Sequence, residues 1–530
     1  MKNETRSRAL SNAICACCAM FGSMAALPQA QPRSTLPRYQ VLDIGTLGGS
    51  EATAMDINDR GEVTGEASRA DGSKHAFIYA DGSMVDLGTL QADRYGAGRS
   101  SGADINNRGE IVGQSVTQDG YSHAVLYSNG AATDLGTLGG ITSNGYALNE
   151  AGQVAGVSFP VGNNDYHAFL YSPGTGMRDL GTLGDSYSTG DGINDAGEVA
   201  GIYQFEFDTH AYLYTQGSLV DLIPGVSSYL SPTSTIINSA GHVTGTYRID
   251  TTRSFIYRDG NMVDLGALGG DSSFAYAIND ADEVVGDSTT PSGFAHAFLW
   301  SAGTMADLGT LGGDYSNAFA VNRSSQVTGQ ALAANGHNHP FVYTEGEMID
   351  LGLPTGGTDG FGSAINAAGQ IAGTYMVPAQ NTFPPYALRG FVATPIPLLY
   401  AKLAEKAGTT TPGILLQYSV RLAQHSYDAS DLKGTCLLLT AFDVQAGLIA
   451  YDKRYTAKMK ELIAGARAIK TAVGCSDQSG SAAPSQVASQ SLALSTAPAD
   501  AAASEWYRNR FGIAANGVLT AGPLKGLLAL

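Results

Sequence analysis

HAFLWSAGTMADLGTLGGDYSNAFAVNRSSQVTGQ, residues 296–330, is one copy of a phrase that the chain writes eight times. The aspartate of its DLG element recurs at Asp43, Asp86, Asp134, Asp179, Asp221, Asp264, Asp307 and Asp350. The spacings are 43, 48, 45, 42, 43, 43 and 43 residues. Between successive aspartates lies an IN-x-x-G element, whose asparagine is Asn58, Asn106, Asn149, Asn194, Asn238, Asn279, Asn322 or Asn366. A catalytic motif needs to be written once. A phrase at a period of 40 to 50 residues is architecture.

Each unit resolves into four short strands. In the sixth, FAYAIN alternates small and large side chains, EVVGDS is the second strand, AHAFLW the third and TMADLG the fourth. The Asn-x-x-Gly turn joins the first two, with Asp282 where most units have glycine. Asp81-Gly82, Asn129-Gly130 and Asp259-Gly260 are two-residue hairpin signals before the fourth strand. GTLGG then reads as a flexible crossover to the next unit. Four strands per unit, eight times, predicts an all-β, eight-bladed β-propeller rather than a β-solenoid. The ends agree. The chain enters with YQVLDIGTLGG (39–49), a fourth strand lacking its first three, and leaves with LRGFVAT (388–394), a third strand lacking its fourth. The expectation is a ring closed by strands from both ends, Tyr39–Ile44 beside Arg389–Thr394, with no exposed sheet edge.

HAFIYADGSMVDLGTLQ (75–91), YHAFLYSPGTGMRDLGTLGD (166–185) and the phrase at 296 resemble the HAF repeats of bacterial extracellular proteins. The resemblance covers residues 39–394 and implies an exported bacterial protein, with little implied chemistry. The fifth unit departs from it, with DLIPGVSSYLSP for DLGTLGG and Arg253-Ser254 for His-Ala.

The remaining features give an address and several exclusions. Lys2, Arg6 and Arg8 precede an apolar run from Ala13 to Leu27 and small residues at Ala25, Ala26 and Ala30, so residues 1–30 read as a signal peptide. The protein is then exported: periplasmic, secreted or on the cell surface. A lipoprotein signal fits poorly around Cys17. No later segment has the length and hydropathy of a membrane span. The net charge of −18 argues against general nucleic-acid binding.

Among residues that invite a functional reading, six histidines (His75, His123, His167, His210, His296, His339) share one repeat position and cannot converge on one metal. Each is expected to hydrogen-bond within its own blade, to the repeating Asp or Asn. His242, His337 and His425 lie outside the pattern without an evident partner. The repeating Asp and Asn are expected to cap turns. No cofactor is indicated, with calcium at Asp271, Asp280, Asp282 and Glu283 as the one ion left open. G-x-S-x-G, H-E-x-x-H and a phosphate loop are absent. Residues 39–394 hold 38 acidic and 12 basic side chains, so a carboxylate pair for glycoside chemistry is not singled out.

After Thr394 glycine thins and helical spacing begins. Residues 395–475 read as a bundle of three or four helices, broken at 409–412 and 427–431, with Met459, Leu462, Ile463, Ala466, Ile469 and Val473 on one face of the last. Ala441-Phe442, LIAGARAI (462–469) and the cysteine ending the last helix resemble the FIMAH-type module of bacterial secreted proteins, whose partners are not established. Cys436 and Cys475 are the only cysteines beyond the signal region, and an oxidising compartment would pair them. Residues 476–504 read as a Ser/Ala-rich flexible linker, and 505–530 as a short C-terminal segment with apolar residues.

The function expected is that of an exported, non-catalytic binding or interaction protein. Its partner would be an extracellular ligand or surface component, met by the loops at 91–101, 221–234 and 376–390. The alternatives are a secreted hydrolase or lyase with its site in the propeller channel, and a structural cell-surface component.

Overall fold

Each repeat folds as a four-stranded antiparallel sheet, for reasons visible in the sixth: Ser273–Ile278, Val284–Thr289, Ala295–Ser301 and Thr304–Asp307. The turn joining the last two strands places Ala302 and Gly303 at φ 49° and 87°, the doubly left-handed geometry of a type I′ hairpin. Asp81-Gly82, Asn129-Gly130 and Asp259-Gly260 do the same. Phe298, from the HAF triplet, is fully buried at the centre of the blade. Gly286 on the second strand makes room for it: a Cβ there would stand 1.8 Å from the Phe274 carbonyl oxygen and 3.0 Å from the Phe298 ring. Gly65, Gly113, Gly156, Gly201 and Gly329 sit equally close to a neighbouring carbonyl.

The computed structural model describes residues 38–475 apart from 92–97, 163–164, 185–186, 206–207, 224–234, 249, 380–383, 409–412 and 450–455. The signal region, the linker and the C-terminal segment therefore lie outside the described residues. The chain divides into two units, Arg38–Leu399 and one that includes residues 400–475.

The first unit is an eight-bladed β-propeller. Seven sheets are each built from four consecutive strands, and the eighth joins the N-terminal strand Tyr39–Asp43 to three from the other end. Tyr39 pairs with Pro395, Val41 with Ala393 and Asp43 with Phe391, and the Ile44 amide donates to the Gly390 carbonyl. Tyr39 and Val41 pack with Phe391, Ala393 and Tyr375, while Ile44 packs with Ala52 and Ala54 of blade 1. The expected closure is present, with Tyr39–Asp43 pairing with Phe391–Pro395 in one sheet. Within each blade the first and third turns lie on one face of the ring, which we call the hairpin face. The second turn and the crossover to the next blade lie on the other, the crossover face.

One expectation needs correction. GTLGG is not a slack crossover. Its leading aspartate accepts a hydrogen bond from the amide two residues on, as in Asp307 to Gly309 at 2.7 Å. Ser316 of the next inner strand donates to the Gly309 carbonyl and accepts from the Ala297 amide, tying crossover and third strand together. The inner strands of blades 1, 3 and 7 already begin inside the Gly-Gly, at Gly48, Gly139 and Gly312.

The second unit carries four helices, counting α1, which begins just before it: α1 (Ile396–Ala407), α2 (Gly413–Asp428), α3 (Leu432–Ile449) and α4 (Thr456–Ala472). Asp431 caps α3 by accepting from the Gly434 amide. Met459, Leu462, Ala466, Ile469 and Val473 are buried, as their spacing requires, and Ile463 is half-buried. Cys436, near the start of α3, forms a disulfide with Cys475 beyond the end of α4, with Cα atoms 5.6 Å apart. The bridge closes a loop of 39 residues, worth about 4 kcal/mol in the chain-entropy description. Cys436→Ser with Cys475→Ser is therefore expected to lower the bundle's urea midpoint sharply and leave the propeller's melt unchanged. Thiol labelling of the denatured, unreduced protein should find neither cysteine free.

Candidate functional site

The repeated polar residues are occupied in holding the ring. Every IN asparagine is buried and makes four hydrogen bonds, its full complement. In blade 2, Asn106 Oδ1 accepts from the Arg108 and Glu110 amides, capping its own turn. Its Nδ2 donates to Glu110 Oε2 and, across the seam, to the Asn149 carbonyl of the next blade. The cross-seam bond recurs in all eight blades at 2.9–3.3 Å, and Asn366 returns it to Asn58. A closed circle of asparagines thus runs around the hairpin face. Turn capping was legible in sequence; the cross-seam half was not, because the acceptor lies more than forty residues away.

The histidines behave as expected, with one exception. His75, His123, His167, His296 and His339 place Nδ1 within 2.7–3.0 Å of the DLG aspartate of their own blade. In blade 4, His210 Nδ1 stands 3.7 Å from Asp221, and its ring stacks on Tyr203 instead. In blade 8, Arg389 takes the histidine's place and reaches Asp43 at 2.7 Å. His242 and His337 do have partners, both across blade seams: Asp282 at 2.7 Å and Asp359 at 3.1 Å. The residues considered for calcium are not gathered. Asp282 faces His242, Arg258 and Asn238, Asp280 accepts from the Ser239 amide, and Glu283 accepts from Asn279 and Ser325. Asp271 is exposed at the other end of that inner strand. Among the described residues no group of three or more His, Cys, Asp or Glu side chains is placed to hold a metal ion.

What remains lies on the inner strands, around the channel. Six of them carry a β-bulge whose extra residue is left out of the ladder: Met55, Ala103, Tyr146, Tyr276, Phe319 and Ser363. Asp191 and Thr235 hold the same repeat position in blades 4 and 5. A bulge re-aims a side chain and frees it from pairing, which is why bulges collect beside functional sites. Met55 and Tyr146 remain 48% and 42% exposed. Neighbouring members meet around the ring. Tyr276 lies edge-to-face on Phe319, and Thr235 Oγ1 donates to Asp191 at 3.0 Å, while Phe319 meets Phe361, two residues before Ser363. The eight positions carry seven residue types, in a chain that otherwise repeats itself.

No protein-family model matches the sequence, and no curated protein matches it. Solved structures similar to it include the Porphyromonas gingivalis dipeptidyl peptidase 4 (12% identity, TM-score 0.45, covering 66% of this chain and 58% of that one). A Mycobacterium tuberculosis puromycin-hydrolyzing peptidase is similar at 12% identity and TM-score 0.39, covering 66% and 63%. YCF48 bound to D1 peptide is similar at 11% identity and TM-score 0.34, covering 58% and 96%. This chain spans less than two thirds of either peptidase. These likenesses concern the fold alone.

Two carboxylates break the repeat in the channel wall. Asp56 and Asp104 stand two residues before the IN asparagine, where the other blades have Ala, Gly or Ile. That departure was readable in sequence and is the signal that would have found them. Asp56 Oδ2 accepts from the Ile105 amide at 3.1 Å, and Asp104 Oδ2 from the Leu148 amide at 2.7 Å, each reaching the next blade. Loss of hydration, then the charge and hydrogen bond of Asp56, hold the Asp104 carboxyl well above the usual carboxylate range. A raised native pKa means that the folded state binds the proton more tightly than the unfolded chain. Stability must then fall as pH rises from the ordinary value of 3.8 through the native one. Asp104→Asn keeps an acceptor for Leu148 and a donor for Asp56. It is expected to melt with the parent near pH 4 and about 2–4 °C above it at pH 8.

Residues 92–97 and 224–234 of the loops at 91–101 and 221–234 lie outside the described residues, whereas at 376–390 only 380–383 do, and Met376–Pro378 there pairs with Tyr386–Leu388 in blade 8.

Proposed function

We propose that this is an exported, non-catalytic binding protein of the HAF-repeat kind, whose propeller recognises its ligand through the bulge positions of the inner strands. One observation carries the reading. The repeated polar side chains are occupied by ring-holding bonds, while the position that six blades free from the ladder is where the repeat varies. Met55 and Tyr146 are exposed at this position, with Tyr276 and Phe319 half-buried, and large apolar and aromatic side chains so placed suit recognition. The disulfide and the lack of a described helix long and apolar enough to cross a membrane are compatible with export. The FIMAH-like bundle is read as an accessory module. Purified protein is expected to turn over no polysaccharide, ester or phosphoester, and to bind members of a glycan or peptide array. That binding should be lost in the Tyr146→Ala/Tyr276→Ala/Phe319→Ala triple variant.

A hydrolase or lyase in the channel is the second reading, favoured by the Asp56–Asp104 pair. Against it, both carboxylates are engaged by backbone amides of the next blade, which suits a wall better than an acid–base pair. Turnover of any of those substrates that Asp104→Asn abolishes would replace the first reading with this one.

A further inference from the structure

We propose that the arc of aromatic rings on the inner strands of blades 6, 7 and 8 binds an organic ammonium cation in the channel. The proposal rests on the binding reading above and names the chemistry of its ligand.

Three adjacent inner strands each contribute one ring. Tyr276 and Phe319 meet with centroids 5.8 Å and planes 67° apart, and Phe319 and Phe361 at 6.1 Å and 89°. Rings standing close to perpendicular border corners instead of forming a flat stack. All three are only half-buried, whereas Phe298 shows how completely this fold covers a ring that belongs to its core. The arc also departs from the repeat. Tyr276 and Phe319 stand at the bulge position, where blades 1, 2, 4, 5 and 8 have Met, Ala, Asp, Thr and Ser.

A carboxylate lies behind the arc. Asp287, on the second strand of blade 6, accepts hydrogen bonds from the Tyr276 hydroxyl and the Asn317 side chain. Asn317 is oriented for this, because its Oδ1 accepts from Gln330 Nε2 at 3.1 Å. Asp287 is 7% exposed, and its Oδ1 has no hydrogen-bond partner. Burial holds its carboxyl above the ordinary carboxylate value, the mark of a charge short of compensation. At the same position in blade 1, Glu66 has Lys74 at 3.2 Å; Asp287 has no basic partner among the described residues. The ring faces add the negative side of their quadrupoles, and the bond from Tyr276 to a carboxylate enriches that ring further. Such a wall attracts a cation with an apolar skin, the group that aromatic cages recognise. An anion would meet no opposite charge. The inner strands Gly48–Ile57, Ser100–Ile105, Gly139–Leu148, Gly192–Ile193, Ile236–Ile237, Ser273–Ile278, Gly312–Val321 and Gly360–Ile365 carry no Lys, Arg or His.

The test is isothermal titration calorimetry of the full chain with choline, at about 0.15 M salt. The control is 3,3-dimethylbutan-1-ol, which has the same shape and no charge. Choline is expected to bind saturably, and the alcohol about tenfold more weakly or worse. Phe319→Leu keeps an apolar side chain but no ring, and should weaken choline by about tenfold, as should Phe319→Ala. Asp287→Asn should weaken it by about threefold or more. Tyr121→Ala, an exposed ring of blade 2 away from the inner strands, should leave it unchanged. Glycerophosphocholine carries the same head beside a phosphate. Weaker binding than choline's, the expected result, assigns a free cation, and equal binding assigns a phospholipid head. No binding of choline, equal binding of the alcohol, or an affinity unchanged in Phe319→Leu would overturn the inference. A glycan or peptide bound through Tyr146, Tyr276 and Phe319 would then leave the wider reading standing, and catalytic turnover would remove it. Melting curves of the variants close to the parent's establish that they are folded.

Discussion

A chain beginning at Gly45 is expected to melt about 10 °C or more below the full-length protein, or to fail to accumulate in soluble form. The loss has two parts. Removing Tyr39–Asp43 strips a strand from blade 8 and exposes the third strand, Tyr386–Pro395, as a bare edge. Removing Tyr39, Val41 and Ile44 also takes apolar packing from both sides of the seam between blades 8 and 1. A synthetic peptide spanning residues 38–45, added in excess, is expected to recover part of the loss, because the strand is held only by hydrogen bonds and packing. A truncated chain that melts with its parent would mean that the ends do not close the ring.

Asn106→Ala is expected to be the most costly single substitution at a repeat position, at about 3 kcal/mol or more. It leaves the Arg108 and Glu110 amides without their acceptor and the Asn149 carbonyl without its donor. Asn106→Asp makes the assignment sharper. It keeps an acceptor for the turn but sets a second carboxylate against Glu110, at the 2.8 Å contact that Asn106 Nδ2 now fills. Urea midpoints at pH 7 should place it no better than alanine, and at pH 4 should show partial recovery. If alanine costs no more than an exposed surface change, the asparagine circle does not hold the blades.

Much of this architecture was legible because it is local. Hairpin turns such as Asp81-Gly82, the HAF phenylalanine, the capping asparagine and the pairing of His75 with Asp86 all lie within a dozen residues of their partners, and repetition multiplied the signal. Closure was also legible, since the two ends carry complementary fragments of one unit. The rest depends on neighbours that only the ring brings together. Asn106 meets Asn149, His242 meets Asp282, and Asp104 meets Leu148 across seams, about one repeat apart, and nothing local in the sequence marks those contacts. The bulges escaped for another reason. An extra residue in an inner strand preserves the 43-residue spacing, so Tyr146 and Met55 read as ordinary alternating positions until the register shift is seen.

The central claim is that repeat positions hold the ring while bulge positions are free to serve recognition. Differential scanning calorimetry of the Met55→Ala/Tyr146→Ala variant beside Asn238→Ala tests it most directly. The double bulge variant is predicted to unfold in a propeller transition within about 3 °C of the parent, and Asn238→Ala well below it. A double bulge variant that melts as low as Asn238→Ala would show that the bulge side chains are structural, and would contradict the account.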